Sequence, residues 1–200
     1  MMITKKMIIS ENFGQNQATR EIVRDIIKIY KEEYDGEFYL PEHFDEEMVE
    51  YEFPNITVSV ELILEADESV RDFIIDASIW KDEDVITVKV VYNPNVKEKI
   101  TYNLIGSLNE VIQHELQHYK QRVLGMYDLY ADEEPEDPFK YYTQPHEIDA
   151  QVAGFKRMAK ITKRPFEQVV RNWFSTHKEI HRIPENKIED VISLLLKHKN

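Results

Sequence analysis

Apolar and polar positions alternate along this chain with two different periods. Between Ala18 and Tyr34, Ile22, Val23, Ile26, Ile27, Ile29 and Tyr30 recur at helical spacing among charged residues, which predicts a first helix with an isoleucine-rich face. Three runs rich in Val, Ile, Thr and aromatics follow, over Asn55–Leu64, Asp72–Trp80 and Val85–Tyr92, with much period-two alternation. In the third run Ile86, Val88, Val90 and Tyr92 form the more apolar face, expected to be buried; Val85, Thr87, Lys89 and Val91 form the other. Asn93-Pro94-Asn95 stops that run.

A longer helical pattern occupies 101–124. Leu104, Ile105, Leu108, Val111, Ile112, Leu116 and Tyr119 make one apolar stripe, and Gln113, Gln117, Lys120 and Gln121 fall on the opposite side, expected to be wet. Thr101 or Asn103 can cap its start, and Gly125 is placed to end it. Three further helical stretches are predicted: one opened by Pro145, one over Arg164–Phe174 and one over Glu185–Lys199 after Pro184.

These elements predict one α+β domain. Residues 1–50 supply a helix and an acidic cover, 55–92 a mostly antiparallel sheet of about three strands, 101–124 the central helix, 125–144 an acidic loop and 145–200 the C-terminal helices. The short polar links at 67–69 and 81–84 predict an antiparallel meander. Asp35–Phe53, acidic and aromatic, reads as a solvated loop anchored by a few rings, or else as a cover or partner surface. Met126–Gln144, with five acids and two prolines in Asp132–Pro138 at its centre, reads as a loop that links the central helix to the next one and overhangs the functional site, either a lid or plain solvated chain.

Composition narrows the chemistry. A formal charge of −13 argues against a nucleic-acid surface, and the absence of cysteine excludes disulfides, zinc fingers and thiol catalysis. No run approaches a membrane span and Met1–Ser10 lacks a signal-peptide core, so a cytoplasmic location is expected. A metal held by this chain must use histidine and carboxylate, the donors of catalytic rather than purely structural zinc sites.

Those donors coincide in the central helix as His114-Glu115-Leu116-Gln117-His118. Residues four apart on a helix lie about 40° from one another, so His114 and His118 can offer both imidazoles to one ion. Glu115, adjacent but free of ligation, is placed to carry a proton. A third protein ligand is required. The extension that would put Gly at 121 and His at 124 is excluded by Gln121 and Leu124. Glu147 is the better candidate: it shares a small helical face with Ala150, Gln151 and Gly154, which would let that helix press on the central one. Its rival role is to complement the helix dipole at the N-terminus, and His146 and Asp149 are the next ligand candidates. His177 and His181 are also four apart, but lack an adjacent acid and a third donor, and read as surface residues.

His114-Glu115-x-x-His118 with Glu147-x-x-Ala150 placed 29 positions after His118 resembles the gluzincin branch of zinc metallopeptidases, and is similar to small metallopeptidases encoded by bacteriophages and bacteria. The resemblance spans roughly Val85–Phe155. It implies a zincin-like fold with a twisted sheet over the motif helix, Zn2+ as cofactor, and a peptide or protein substrate laid as an extended strand along a sheet edge. The candidate edge residues are Val85, Thr87, Lys89 and Val91. It also implies a Tyr or His donor to the developing oxyanion, for which Tyr142, Tyr141 and His146 are candidates, with Tyr142 preferred. The expected reaction is zinc-assisted amide hydrolysis with Glu115 as base and then acid. Two other readings use the same residues: a zincin-shaped binding or assembly protein whose metal staples helices, and a hydrolase of non-peptide amides such as cell-wall cross-links.

Overall fold

A computed structural model describes residues 13–35, 45–53, 56–79, 85–96, 102–127 and 137–199. These form, in chain order, α1 (Phe13–Asp35), β1 (Asp45–Phe53), β2 (Ile56–Ala66), β3 (Phe73–Ile79), β4 (Val85–Tyr92), α2 (Tyr102–Leu124), α3 (Pro138–Tyr142), α4 (Pro145–Thr162), α5 (Phe166–Thr176), α6 (Lys178–His181) and α7 (Glu185–Lys197). The fold is mixed α+β and mostly helical. Residues 1–12, the turn at 81–84, Thr101 and the acidic run 131–136 lie outside the described residues, and with them the leader, turn, cap and lid readings.

The sheet departs from the expected meander in strand number and in order. It has four strands in the order β1-β2-β4-β3. The extra strand, β1, pairs antiparallel with β2 from Asp45↔Leu64 to Phe53↔Ile56, within the segment read as an acidic loop. Five acids in Asp45–Phe53 masked the alternation of Val49, Tyr51 and Phe53 with Met48, Glu50 and Glu52. Strand formation depends on the partner more than on intrinsic preference, and a charged strand is well suited to a sheet margin.

β2 and β4 pair in parallel, Val60 with Ile86 and Leu64 with Val90, while β3 pairs antiparallel with β4 from Phe73↔Tyr92 to Ile79↔Ile86. The chain therefore leaves β2, skips one strand position to lay down β3, and returns to fill the gap with β4. Backbone bonds from Asp67 N–H to Tyr92 O and from Asn93 N–H to Asp72 O (both 2.9 Å) tie the link to the far end of β4. A polar turn in the sequence says that the chain reverses, not which neighbour it then meets.

This order corrects the proposed substrate edge. β4 is paired on both sides, so Val85, Thr87, Lys89 and Val91 have no free strand edge to offer. They lie half-buried on the outer face, where Thr87 donates to Glu61 (2.8 Å) and Lys89 pairs with Glu65. The other face of β4 is buried as expected, Ile86, Val88, Val90 and Tyr92 being at most 2 % exposed. Among the described residues, the strand with a free edge on this side of the sheet is β3.

Apolar side chains sort into two clusters. One joins β2 and β4 to Ile22, Val23 and Ile26 of α1 and to Leu104, Leu108, Ile112 and Leu116 of α2. The other joins Ile148, Val152 and Phe155 of α4 to Val169, Val170 and Phe174 of α5 and Val191, Ile192 and Leu195 of α7. The 125–144 segment also contains more structure than expected: Asp137 caps α3 by accepting from Phe139 N–H, with Pro138 in the first turn.

Candidate metal centre

α2 and α4 lie antiparallel where the two apolar clusters meet, touching in succession through Gly106 and Thr162, Asn109 and Arg157, Glu110 and Gly154, Gln117 and Asp149, and Gln121 and His146. The approach is close: a Cβ on Gly154 would sit 2.8 Å from the Glu110 carbonyl oxygen. The small face of α4 around Glu147 therefore presses on α2.

The side of α2 expected to be wet is not. Asn109, Gln113, Gln117 and Gln121 recur every fourth residue and are buried. Each amide is met by a partner rather than by water. Arg157 donates to Asn109 Oδ1 (2.8 Å), Thr19 to Gln113 Oε1 (2.8 Å), Gln15 to Gln117 Oε1 (3.2 Å), and Gln117 to Asp149 Oδ2 (2.8 Å). Burial of polar groups is tolerated when their bonds are replaced in kind. A row of uncharged amides at spacing four, without the lysines and glutamates of a solvated face, was the available signal of a polar helix–helix contact.

Within this seam, His114, His118 and Glu147 converge. His114 Nε2 lies 3.0 Å from His118 Nε2, His118 Nε2 lies 3.3 Å from Glu147 Oε1, and His114 Nε2 lies 3.6 Å from Glu147 Oε2. Donors about 2.0–2.1 Å from a tetrahedral ion are spaced by roughly 3.3 Å, so the three edges match such a site. Glu147 Oε2 is sealed from solvent with no hydrogen-bond partner among the described residues, an orphan that an ion would satisfy. The three residues could hold a metal ion.

His118 is also oriented for it. Gln121, fully buried, donates its amide to the His146 carbonyl (2.9 Å) and to Asp149 Oδ2 (3.1 Å), which turns its Oε1 toward His118 Nδ1 at 2.9 Å. That oxygen can only accept, so the Nδ1 proton belongs to His118 and Nε2 is directed at the cluster. A ligating imidazole fixed through its other nitrogen is a recurrent feature of metal sites.

Electrostatics reflect the crowding. Burial, reinforced by the His118 charge, lowers His114 to about 4. Burial opposes the charge on His118 as well, but the Glu147 and Glu115 carboxylates outweigh it and raise the group to about 9. Glu147 is correspondingly held below its ordinary value: burial raises it, and the hydrogen bond to His118 and the charge of His114 more than compensate. Glu115 is pushed up to about 8 by burial.

No family model, curated protein or solved structure matches this chain. The site therefore stands on its own geometry.

Glu115 lies beside the cluster without completing it, its Oε1 4.0 Å from His114 Nε2, and the Ile79 N–H of β3 faces its carboxylate. Tyr141 and Tyr142 occupy different positions. The Tyr141 hydroxyl is directed at Glu147 and feels Glu115, whereas Tyr142 packs its ring against Trp173, Phe174 and His181. Burial, together with the nearby carboxylates, raises both phenols and keeps them protonated. Both tyrosines line the cavity that opens on the cluster, Tyr141 with its hydroxyl toward Glu147. His146 flanks it, with Nε2 3.6 Å from Glu147 Oε1, and Asp149 is turned away toward Gln117 and Gln121.

Of the other histidine pair, His181 differs from the surface reading. His181 is 1 % exposed with both nitrogens engaged, Nδ1 accepting from Ile183 N–H (3.0 Å) and Nε2 donating to the Phe174 carbonyl (2.9 Å). It is a core residue. His177 stacks on Trp173, with ring centroids 5.0 Å apart.

A cavity of about 450 Å³ opens on His114, Glu115, Tyr141 and Glu147. Phe73–Ala77 of β3 forms one side and Trp173, His177 and Ile180 of α5–α6 the other. Glu110 and Gln151 line it too; neither was singled out as a site residue from the sequence.

Proposed function

We propose that the protein is a zinc-dependent hydrolase of the gluzincin type, cutting peptide bonds, with His114, His118 and Glu147 as the metal ligands. The observation that carries this reading is the arrangement of the fourth polar group: Glu115 stands next to three convergent ligands without being one. A site that merely staples helices has no use for such a carboxylate. Zinc, when bound, supplies a Lewis acid that polarises a carbonyl and lowers the pKa of water from 15.7 toward ~7.

The chain's own residues do the rest. Glu115, in its ionised form, accepts a proton from the attacking water and returns it to the departing nitrogen as the C–N bond breaks. Tyr141, protonated and facing the cluster, donates its O–H to the carbonyl oxygen as negative charge develops there. The free edge of β3, which borders the cavity, offers backbone N–H and C=O groups to an extended peptide, the role first given to β4. Gln121 keeps His118 in the tautomer that ligates.

The test is the conservative change Glu115→Gln in zinc-loaded protein, assayed on an unbiased peptide mixture by mass spectrometry. The parent should cleave. The variant should retain zinc and lose turnover by about 10²–10⁴-fold. Equal rates in parent and variant would remove Glu115 from the mechanism and with it the hydrolase reading.

A further inference from the structure

The cavity wall beyond the metal ligands carries two polar groups that hydrolysis does not use. Gln151, one turn after Glu147 on α4, is 4 % exposed, and among the described residues neither its amide nitrogen nor its amide oxygen has a hydrogen-bond partner. Buried amides are seldom left in that state, because each unmade bond carries the full desolvation cost. Glu110, one turn before His114 on α2, is 7 % exposed, and no described residue hydrogen-bonds its carboxyl. Both residues line the cavity.

Their surroundings indicate what they await. Besides Glu110, Glu115 and Glu147, the lining includes Asp76 of β3 and Glu179 of α6, and among the described residues it contains neither lysine nor arginine. When ionised, these five carboxyls repel an acidic side chain and attract a basic one. The remaining walls are apolar or aromatic, with Phe155 and Trp173 packed edge to face at 5.6 Å. Such walls suit an aliphatic stem, and ring faces attract a cation.

We propose that this part of the cavity is a specificity pocket for a basic side chain of the substrate, with the stem against Phe155 and Trp173 and the cationic head held by the Glu110 carboxylate and Gln151 Oε1. Arginine fits better than lysine, because its planar donor fork can serve two acceptors at once. Burial raises Glu110 to about 8, and a cation placed opposite it lowers that value again. Calling the ligand a substrate residue rests on the hydrolase reading; the pocket's preference for a cation does not.

The test separates the two. The zinc-loaded Glu115→Gln protein is titrated by calorimetry with the peptide Ala-Ala-Arg-Ala-Ala and with its norleucine analogue. In parallel, the parent is mapped for cleavage sites on an unbiased peptide mixture. The arginine peptide should bind at least about tenfold more tightly than the norleucine one, and Glu110→Gln, introduced alongside Glu115→Gln, should lower its affinity by roughly tenfold or more. Gln151→Leu, which leaves no buried orphan, should weaken it as well and stands in if the Glu110 variant does not fold. Cleavage should fall next to Arg or Lys. Selective arginine binding without any cleavage upholds the pocket and removes the hydrolase. Cleavage with no basic preference overturns the pocket and leaves the hydrolase standing. Equal affinity for the two peptides, or no binding of either, also overturns it.

Discussion

Gln121 Oε1 lies 2.9 Å from His118 Nδ1, and the Gln121 amide is itself tied to Asp149 and to the His146 carbonyl. The chain Asp149–Gln121–His118 links α4 back to the motif on α2, so one side chain sets both the helix contact and the direction of a ligand. Replacing Gln121 by leucine keeps the volume, frees the His118 ring and takes one donor from the His146 carbonyl and one of two from Asp149 Oδ2. Metal affinity should fall by about 10–100-fold, the usual effect of losing an outer-shell partner. Competition against a chromophoric chelator measures it; unchanged affinity would show that His118 needs no orienting.

Glu147→Gln should act on the metal directly. It replaces an anionic donor with a weak neutral one, so zinc retention should fall together with turnover, in contrast to Glu115→Gln. Two apolar clusters, each with its own buried residues, should hold the fold without the ion. Circular dichroism should therefore keep its helical signal after chelation, unlike that of a zinc finger. Loss of that signal would make the metal a structural staple and favour the assembly-protein reading.

Much of this arrangement is legible in the sequence, and the illegible parts share a cause. The helices follow from apolar spacing: the face of α1 around Ile22 and Ile26 and the stripe from Leu104 to Leu116 are buried where the periodicity places them. The alternation in Val85–Tyr92 assigns the buried face of β4 correctly. Periodicity reports which side of an element is covered, not by what. It therefore could not place β4 between β2 and β3, nor move the free edge to Phe73–Ile79. It also scored glutamines as solvent-facing, when Gln113, Gln117 and Gln121 are buried against α1 and α4 by partners up to about a hundred residues away. The His114, His118 and Glu147 grouping was accessible because helix geometry fixes the first pair and the small residues Ala150 and Gly154 mark the face that brings in the third.

Gly154 tests that last point. A Cβ there meets the Glu110 backbone oxygen at 2.8 Å, and backbone cannot swing aside as a side chain can. Gly154→Ala should push α4 away from α2 and destabilise the protein by about 1–3 kcal/mol, despite the better helix propensity of alanine. Because Glu147 sits two turns earlier on the same helix, metal affinity should drop with stability. Denaturant unfolding and chelator competition on one sample would reveal whether the two losses travel together. A stabilised variant would mean that the helices are not in close contact.

Glu110 makes a prediction about pH. Burial raises its carboxyl from 4.5 to about 8, so the folded chain binds that proton more tightly than the unfolded chain does. Below about 4.5 both states are protonated and Glu110 costs nothing. Between there and about 8 the unfolded chain ionises while the folded one does not, and stability is progressively lost; above about 8 both are ionised and the loss is complete. Glu110→Gln removes the titration while keeping the shape. The variant should match the parent at pH 4 and exceed it increasingly toward pH 8, by up to a few kcal/mol. The neighbouring Glu115 and Tyr142 remain in both proteins, so the difference isolates Glu110. Urea unfolding of the pair at several pH values measures it, and parallel stability curves would mean that the Glu110 carboxyl is already solvated in the folded chain.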